Sequence, residues 1–391
     1  MTNSREALGI WLIGARGSVA TTTVVGAAAV AAGLAPTTGL VTALPGFAPG
    51  ALPDMSRLVF GGHDVTAVPL VKQAERLAGA GVLAGALLPA VTDTLLAAED
   101  AIRPGVGAGD GPPERAIEHI QADLAEFVAE HDLGGLVVIN CATTEAPVAS
   151  DPAHDDLRAL REALAAGRPV LPASSLYAYG ALDAGWAYVD FTPSTGARLP
   201  ALAQLAEIRG VPHAGRDGKT GETLVKAALA AMFADRNLDV RSWSGTNLLG
   251  GGDGASLADA GPAESKRRSK RAALDGILGP GIESDVHIGH VAELGEWKTA
   301  WDLITFEGFL GARMRLQFTW EGADSALAAP LVLDLARLML AAQAAGESGA
   351  ICPMGFFFKE PPAGAPHRLD HQLELLLSWA RDLPAFPGPG S

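Results

Sequence analysis

Residues 9–20 read GIWLIGARGSVA: a five-residue apolar run, a turn punctuated by Gly14 and Gly17, and the start of a small-residue helix. Strand, tight turn and helix in that order open a βαβ unit. Gly14 allows the sharp turn, Gly17 suits a backbone that approaches a ligand closely, and Ala20 lets the helix pack tightly. The free N–H groups at the helix start would then face a pyrophosphate. The stretch departs from GxGxxG at its second glycine, so a glycine turn without a ligand stays open as the alternative. The apolar run 39–44 is predicted to be the second strand. Its end, LVTALPGF, carries no Asp or Glu for a ribose diol, which leaves NAD and NADP undistinguished.

Outward from this unit the pattern repeats. LVVINCATT at 136–144 follows a helical stretch at 114–131, and WAYVDFTP at 186–193 follows another at 175–183. Strands alternating with helices predict an α/β chain with a doubly wound Rossmann-type domain. RPGVGAGDGPP at 103–113 reads as a surface loop. Beyond residue 200 come helices at 200–209 and 222–233, a strand VRSWSGTN, the glycine loop 248–254, an alternating strand at 311–320 and an apolar helix at 328–342. The predicted organisation is a dinucleotide-binding part at 1–200, an inserted α+β domain at 201–325, and a segment at 326–391 that returns to the first domain.

Composition narrows the function. The 391 residues are 48% hydrophobic and 19% charged, which suits a compact enzyme with a large core. A net charge of −15 argues against nucleic acid, because a phosphate backbone needs a clustered positive field. The apolar stretch 19–44 is interrupted by Thr21 to Thr23, Gly26, Gly33 and Pro36, so no membrane span is expected where about 20 unbroken apolar residues are needed. Cys141 and Cys352 fall outside any CxxC spacing, and the N-terminus lacks a signal-like apolar run, so a cytoplasmic location is expected.

Three further stretches carry chemistry. Asp217-Gly218-Lys219-Thr220-Gly221 is a glycine turn that opens a helix and could hold a phosphate, or be a capped surface turn. Asn247 leads into glycines that end at Asp253. Of the 29 Lys and Arg residues only 7 are lysine, and six of those lie at 219, 226, 266, 270, 298 and 359. A chain that writes Arg almost everywhere keeps lysine where a compact, titratable ammonium matters. ESKRRSK at 264–270 could equally be a solvated basic turn. Several amines converging on one pocket would lower one another's pKa and equip one of them for proton transfer.

The segments GLVTALPGF, FGGHDV (60–65), VVINCATTE, FTPS, AGRDGKTGETLVK (214–226), NLLGGGDG, ESKRRSK, EWKTAWD (296–302), APLVLDLAR and FFFK (356–359) occur in one order across nearly the whole chain. In this the sequence resembles the myo-inositol-1-phosphate synthase family, in its archaeal-type form. The resemblance implies an NAD-dependent, redox-neutral cyclisation of a hexose 6-phosphate. Glucose 6-phosphate would be oxidised at C5, deprotonated at C6, closed onto C1 and reduced again at C5. It also implies that the inserted domain at 201–325 carries catalysis and the contacts of a homotetramer, and leaves room for a divalent cation, with no metal ligands assigned.

By motif, Lys266 and Lys359 match lysines near C5, and Lys270 and Lys298 match those near O1 and the phosphate. Asp217, Asp253 and Asp324 match the acids that orient them. Lys219, Thr220, Gly221 and Asn247 match substrate-binding positions. Gly14, Arg16, Gly17, Ser18 and Val19, with Asn140, Ala142, Thr143 and Thr144, match cofactor-contacting segments. Two positions depart from the pattern: Gly251 stands where Asn or Asp is common, and Asp190 where a neutral residue is expected. Closure of fructose 6-phosphate to a cyclopentane, and a simple NAD-dependent sugar-phosphate dehydrogenase, are the alternative activities.

Overall fold

The computed structural model describes residues 7–107, 109, 111–250, 276–279 and 281–388. Seven parallel strands form the first sheet: β1 (Leu8–Ile13), β2 (Leu58–Asp64), β3 (Ile102–Pro104), β4 (Leu136–Asn140), β5 (Ala187–Asp190), β6 (Pro212–Gly215) and β11 (Gly349–Ala350), in the order β3-β2-β1-β4-β5-β6-β11. The order reverses between β1 and β4, so their carboxyl ends open a crevice at the topological switch point. All six residues of β1 are buried, because helices cover both faces of the sheet and leave no side for polar residues. One face is covered by the helices Ser18–Ala31 and Asp324–Ala344, the other by Pro113–Glu130 and Ala173–Asp183. Asp324–Ala344 is the one helix among the described residues long and apolar enough to cross a bilayer, and most of it is buried in this core.

The second sheet is mixed, with β7 (Asp239–Leu249), β8 (Glu283–His290), β9 (Trp297–Glu307) and β10 (Arg313–Ala323) in the order β10-β9-β7-β8. Its inner face packs Trp243 and Ile304 against Phe233 and Ala230 of the helix Gly221–Asp235. The alternation expected at 311–320 is present, with Leu316, Phe318 and Trp320 half-buried between exposed neighbours.

Two expectations are corrected. Residues 39–44 are not the second strand: Val41–Ala43 is a 3-10 turn whose Val41 and Thr42 N–H groups donate to Asp334, at 2.6 and 3.4 Å, rather than to a neighbouring strand. Pro36, Pro45 and three glycines at positive φ, Gly39, Gly46 and Gly50, keep this segment turning. The second strand is β2, twenty residues on. The first domain also extends past residue 200: the helix Pro200–Arg209 packs in its core and β6 lies inside its sheet.

Candidate active site

A cleft of about 740 Å³ runs from the carboxyl ends of β1, β2 and β4 to the inner edge of the second sheet. At one end Gly14, at φ +80°, turns the chain, and a Cβ there would lie 2.8 Å from the Cα of Ala142. This is a backbone gap that only glycine leaves open. The carbonyl of His63 accepts from the N–H groups of Gly14 and Ala15, pinning the turn to β2. Gly17 precedes the helix Ser18–Ala31, whose first turn has no side-chain cap. Gly14, Arg16, Gly17, Ser18, Val19, Asn140, Ala142, Thr143 and Thr144 all line this end. Arg16 braces the wall: its guanidinium donates to Glu99 at 2.6 and 3.0 Å and to the Thr66 carbonyl at 2.9 Å.

The relocated β2 supplies a residue that reasoning from 39–44 missed. Asp64 ends β2, is buried and lines the cleft; it accepts from the Arg16 N–H and the Thr66 N–H, both at 2.7 Å. A carboxylate has roughly four lone-pair sites, so two engaged donors leave capacity for a ribose diol. Its signal was the run LVFGGHD, a glycine-bearing strand that closes on an acid. The gap at Gly14, the uncapped helix and Asp64 together fit a dinucleotide.

At the other end two ammonium groups face the same space. Lys359 Nζ donates to Asp217 at 2.7 Å, and Lys298 Nζ to Asp324 at 3.3 Å. Backbone bonds explain how the distant FFFK segment arrives here: Lys359 N–H donates to the Asp217 carbonyl and Lys219 N–H to that of Phe357. Phe357 and Phe358 are fully buried, anchoring that segment. Asn247 and Ser325 are buried cleft residues whose side-chain polar atoms have no hydrogen-bond partner among the described residues, as in a site shaped for a polar ligand. Ser325 was absent from the sequence expectations, although it follows Asp324 directly.

The structure separates the remaining lysines. Lys219 is not among the residues that line the cleft: it is buried, donates to Gln372 at 2.5 Å, and burial pushes its amine down to about 7. Lys226 is buried beneath the second sheet, 2.5 Å from Glu222 and 3.0 Å from Asp302. Convergence of the amines on one pocket therefore holds, among the described lysines, for Lys298 and Lys359 alone. Gly221, at φ +53°, sits against Trp320 and Asp324, while its neighbour Thr220 lines the cleft. Lys266, Lys270, Asp253 and Gly251 lie outside the described residues.

One cluster among the described residues could hold a metal: His63, His119 and Asp123. Trp11 Nε1–H donates to His63 Nδ1 at 3.4 Å, which leaves the proton of a neutral ring on Nε2, where it donates to Asp123 at 2.7 Å. Burial lowers the His63 pKa, and with both ring nitrogens engaged by Trp11 and Asp123 the trio is built as a hydrogen-bonded brace.

The family model described as Myo-inositol-1-phosphate synthase matches residues 8–381. Inositol-3-phosphate synthase 1 of Bacteroides thetaiotaomicron is 31% identical, over 94% of this chain and 92% of its own. Among solved structures, inositol-3-phosphate synthase from Caenorhabditis elegans superposes with a TM-score of 0.85 at 23% identity, covering 98% of this chain and 87% of that one. A myo-inositol-1-phosphate synthase-related protein from Thermotoga maritima gives 0.79 at 25% identity, over 97% and 100%.

Proposed function

The chain belongs to the myo-inositol-1-phosphate synthase family, and from that premise we propose that it cyclises D-glucose 6-phosphate to 1L-myo-inositol 1-phosphate with no net change in its cofactor. It is an enzyme of the intramolecular isomerase type, and NAD is its cofactor. One observation carries the reading: the Lys359–Asp217 and Lys298–Asp324 pairs face the same cleft as the dinucleotide turn at Gly14. NAD, when bound there, supplies the acceptor and then the donor of one hydride at C5.

The residues of the chain handle charge and protons. Lys359, oriented by Asp217, faces C5, where a hydroxyl proton leaves and later returns. Lys298, with Asp324 behind it, stabilises the negative charge that grows on O1 as C6 closes onto C1. The phosphate rests at the uncapped N-terminus of the helix Gly221–Asp235, beside Thr220. Asn247 and Ser325 give hydroxyl groups of the sugar hydrogen-bond partners. Lys266, Lys270 and Asp253 complete the set by resemblance.

The test is incubation with NAD and either glucose 6-phosphate or fructose 6-phosphate, following NADH absorbance and the phosphorylated products by NMR. A six-membered cyclitol phosphate from glucose 6-phosphate without net NADH is the expected result. A cyclopentane from fructose 6-phosphate alone would replace the substrate and keep the chemistry. Accumulating NADH would make the protein a dehydrogenase.

A further inference from the structure

Asp190 ends β5, is 2% exposed, and sits behind the cleft wall. Its Oδ1 accepts from the Thr192 N–H at 2.9 Å, the Thr192 hydroxyl at 2.7 Å and Asn140 Nδ2 at 3.3 Å. Its Oδ2 lies 3.4 Å from Asn140 Nδ2 and 3.3 Å from the Tyr188 hydroxyl. Two of these partners lead to opposite ends of the site. Asn140 Oδ1 accepts the N–H of Ala142, the residue that fits against Gly14. The Thr192 carbonyl accepts the N–H of Asp217, whose carboxylate holds Lys359. The backbone leaves room for this one carboxyl: a Cβ on Gly196, at φ +50°, would lie 2.2 Å from its Oδ2, and one on Gly215 would lie 3.2 Å from its Cβ.

Among the described residues no cation pairs with it. The titratable groups around it there are Glu145, held by Ser174, Cys141 at the end of β4, and Tyr188 on β5 itself. Arg216, which follows β6, donates instead to the carbonyls of Pro193 and Ser194 and to Glu360. Burial pushes Asp190 up to about 7, against the hydrogen bonds from Thr192 and Asn140 that favour its ionised form. As a carboxylic acid it satisfies every neighbour. An O–H on Oδ2 donates to Tyr188, whose own hydrogen goes to the Ser174 carbonyl 3.1 Å away, while Oδ1 keeps its three donors.

We propose that Asp190 is a positioning residue that works as a neutral carboxylic acid, joining the cofactor loop to the substrate turn through Asn140 and Thr192, and that its ionisation loosens both. The inference rests on the cleft being the active site. Because the folded-state value lies above the ordinary carboxyl value near 4, its contribution to stability is lost as pH rises from about 4 through about 7.

The test is the pH dependence of kcat and KM, and of the melting temperature, for the wild type, Asp190→Asn and Asp190→Ala. Asp190→Asn keeps an uncharged amide of the same shape; it should match the wild type in kcat at about pH 6, and exceed it in both kcat and melting temperature at about pH 8. Asp190→Ala should lose about 10²-fold in kcat, the scale of a small misplacement of reacting groups. An Asp190→Asn profile that tracks the wild type at both pH values, or an Asp190→Ala enzyme with unchanged kcat, overturns the proposal. If the wild type forms no cyclitol phosphate, the functional reading fails, and the melting comparison still decides the state of Asp190.

Discussion

Lys359 and Lys298 are held differently, and the proposed reaction asks different work of them. Lys359 is tied to Asp217 by its side chain and by its own N–H, so its ammonium has a defined direction. Lys298 reaches Asp324 at 3.3 Å from the start of β9. Replacing Lys359 by Ala, or Asp217 by Asn, is expected to lower kcat by about 10² to 10⁴-fold, the range for a lost proton-transfer group, while NAD still binds. Arg at 359 should not rescue, since a planar guanidinium does not give up a proton. Binding of NAD measured by calorimetry beside turnover separates these outcomes. Asp64 makes a second residue-scale prediction. Loss of a hydrogen bond from a charged group costs about 1.5–3 kcal/mol, so Asp64→Ala should weaken NAD by at least about tenfold and narrow its preference over NADP. An unchanged NAD affinity in that variant would remove Asp64 from the site.

At the scale of elements, the helix Gly221–Asp235 matters because its N-terminus meets the cleft while its body is locked to the second sheet by Lys226. That ammonium is 1% exposed between Glu222 and Asp302, and Trp243 Nε1 donates to Asp302 at 2.9 Å. Gly245 on β7 makes the space: a Cβ would lie 2.7 Å from Asp302 Oδ1. Removing one partner of a buried ionic group strands the others, so Lys226→Met should destabilise the fold by about 3–5 kcal/mol in urea unfolding. Replacing Lys226, Glu222 and Asp302 together by apolar residues should recover most of that loss. Equal stability of the single variant and the wild type would show that the group is not locked. The sequence showed this helix and this strand, but gave no sign of the lock. A count of lysines says nothing about direction, and Lys219 and Lys226 point into protein while Lys298 and Lys359 point into the cleft.

For the whole molecule the outer face of the second sheet is the open question of assembly. One face lies on the helix Gly221–Asp235; the other presents Trp301, 41% exposed, with Leu303, Leu248, Ser244 and Thr246 part-exposed around it. A sheet face of this kind is ordinarily covered. The homotetramer implied by family resemblance would cover it, and light scattering should return four times the chain mass for the wild type. Trp301→Arg should shift that distribution toward smaller species without loss of secondary structure. A wild-type monomer at micromolar concentration would sink the assembly reading.

By itself the sequence determined the α/β class, the glycine turn between β1 and its helix, and the return of the last segment to the first sheet, and it pointed to Lys298 and Lys359, which line the cleft. These are local: periodicity, glycine placement and motif order survive without knowledge of neighbours. Only the tertiary structure decided which apolar run is the second strand, because 39–44 and 58–64 are both rich in apolar residues and differ in what accepts their backbone hydrogen bonds. It likewise decided that Asp64 lines the cleft beside the Gly14 turn, that Ser325 joins the cleft, and that Asp190 is buried with no cation paired to it among the described residues. Those properties belong to groups brought together from distant stretches of chain, and burial is what turns an ordinary carboxyl into one whose proton matters near neutral pH.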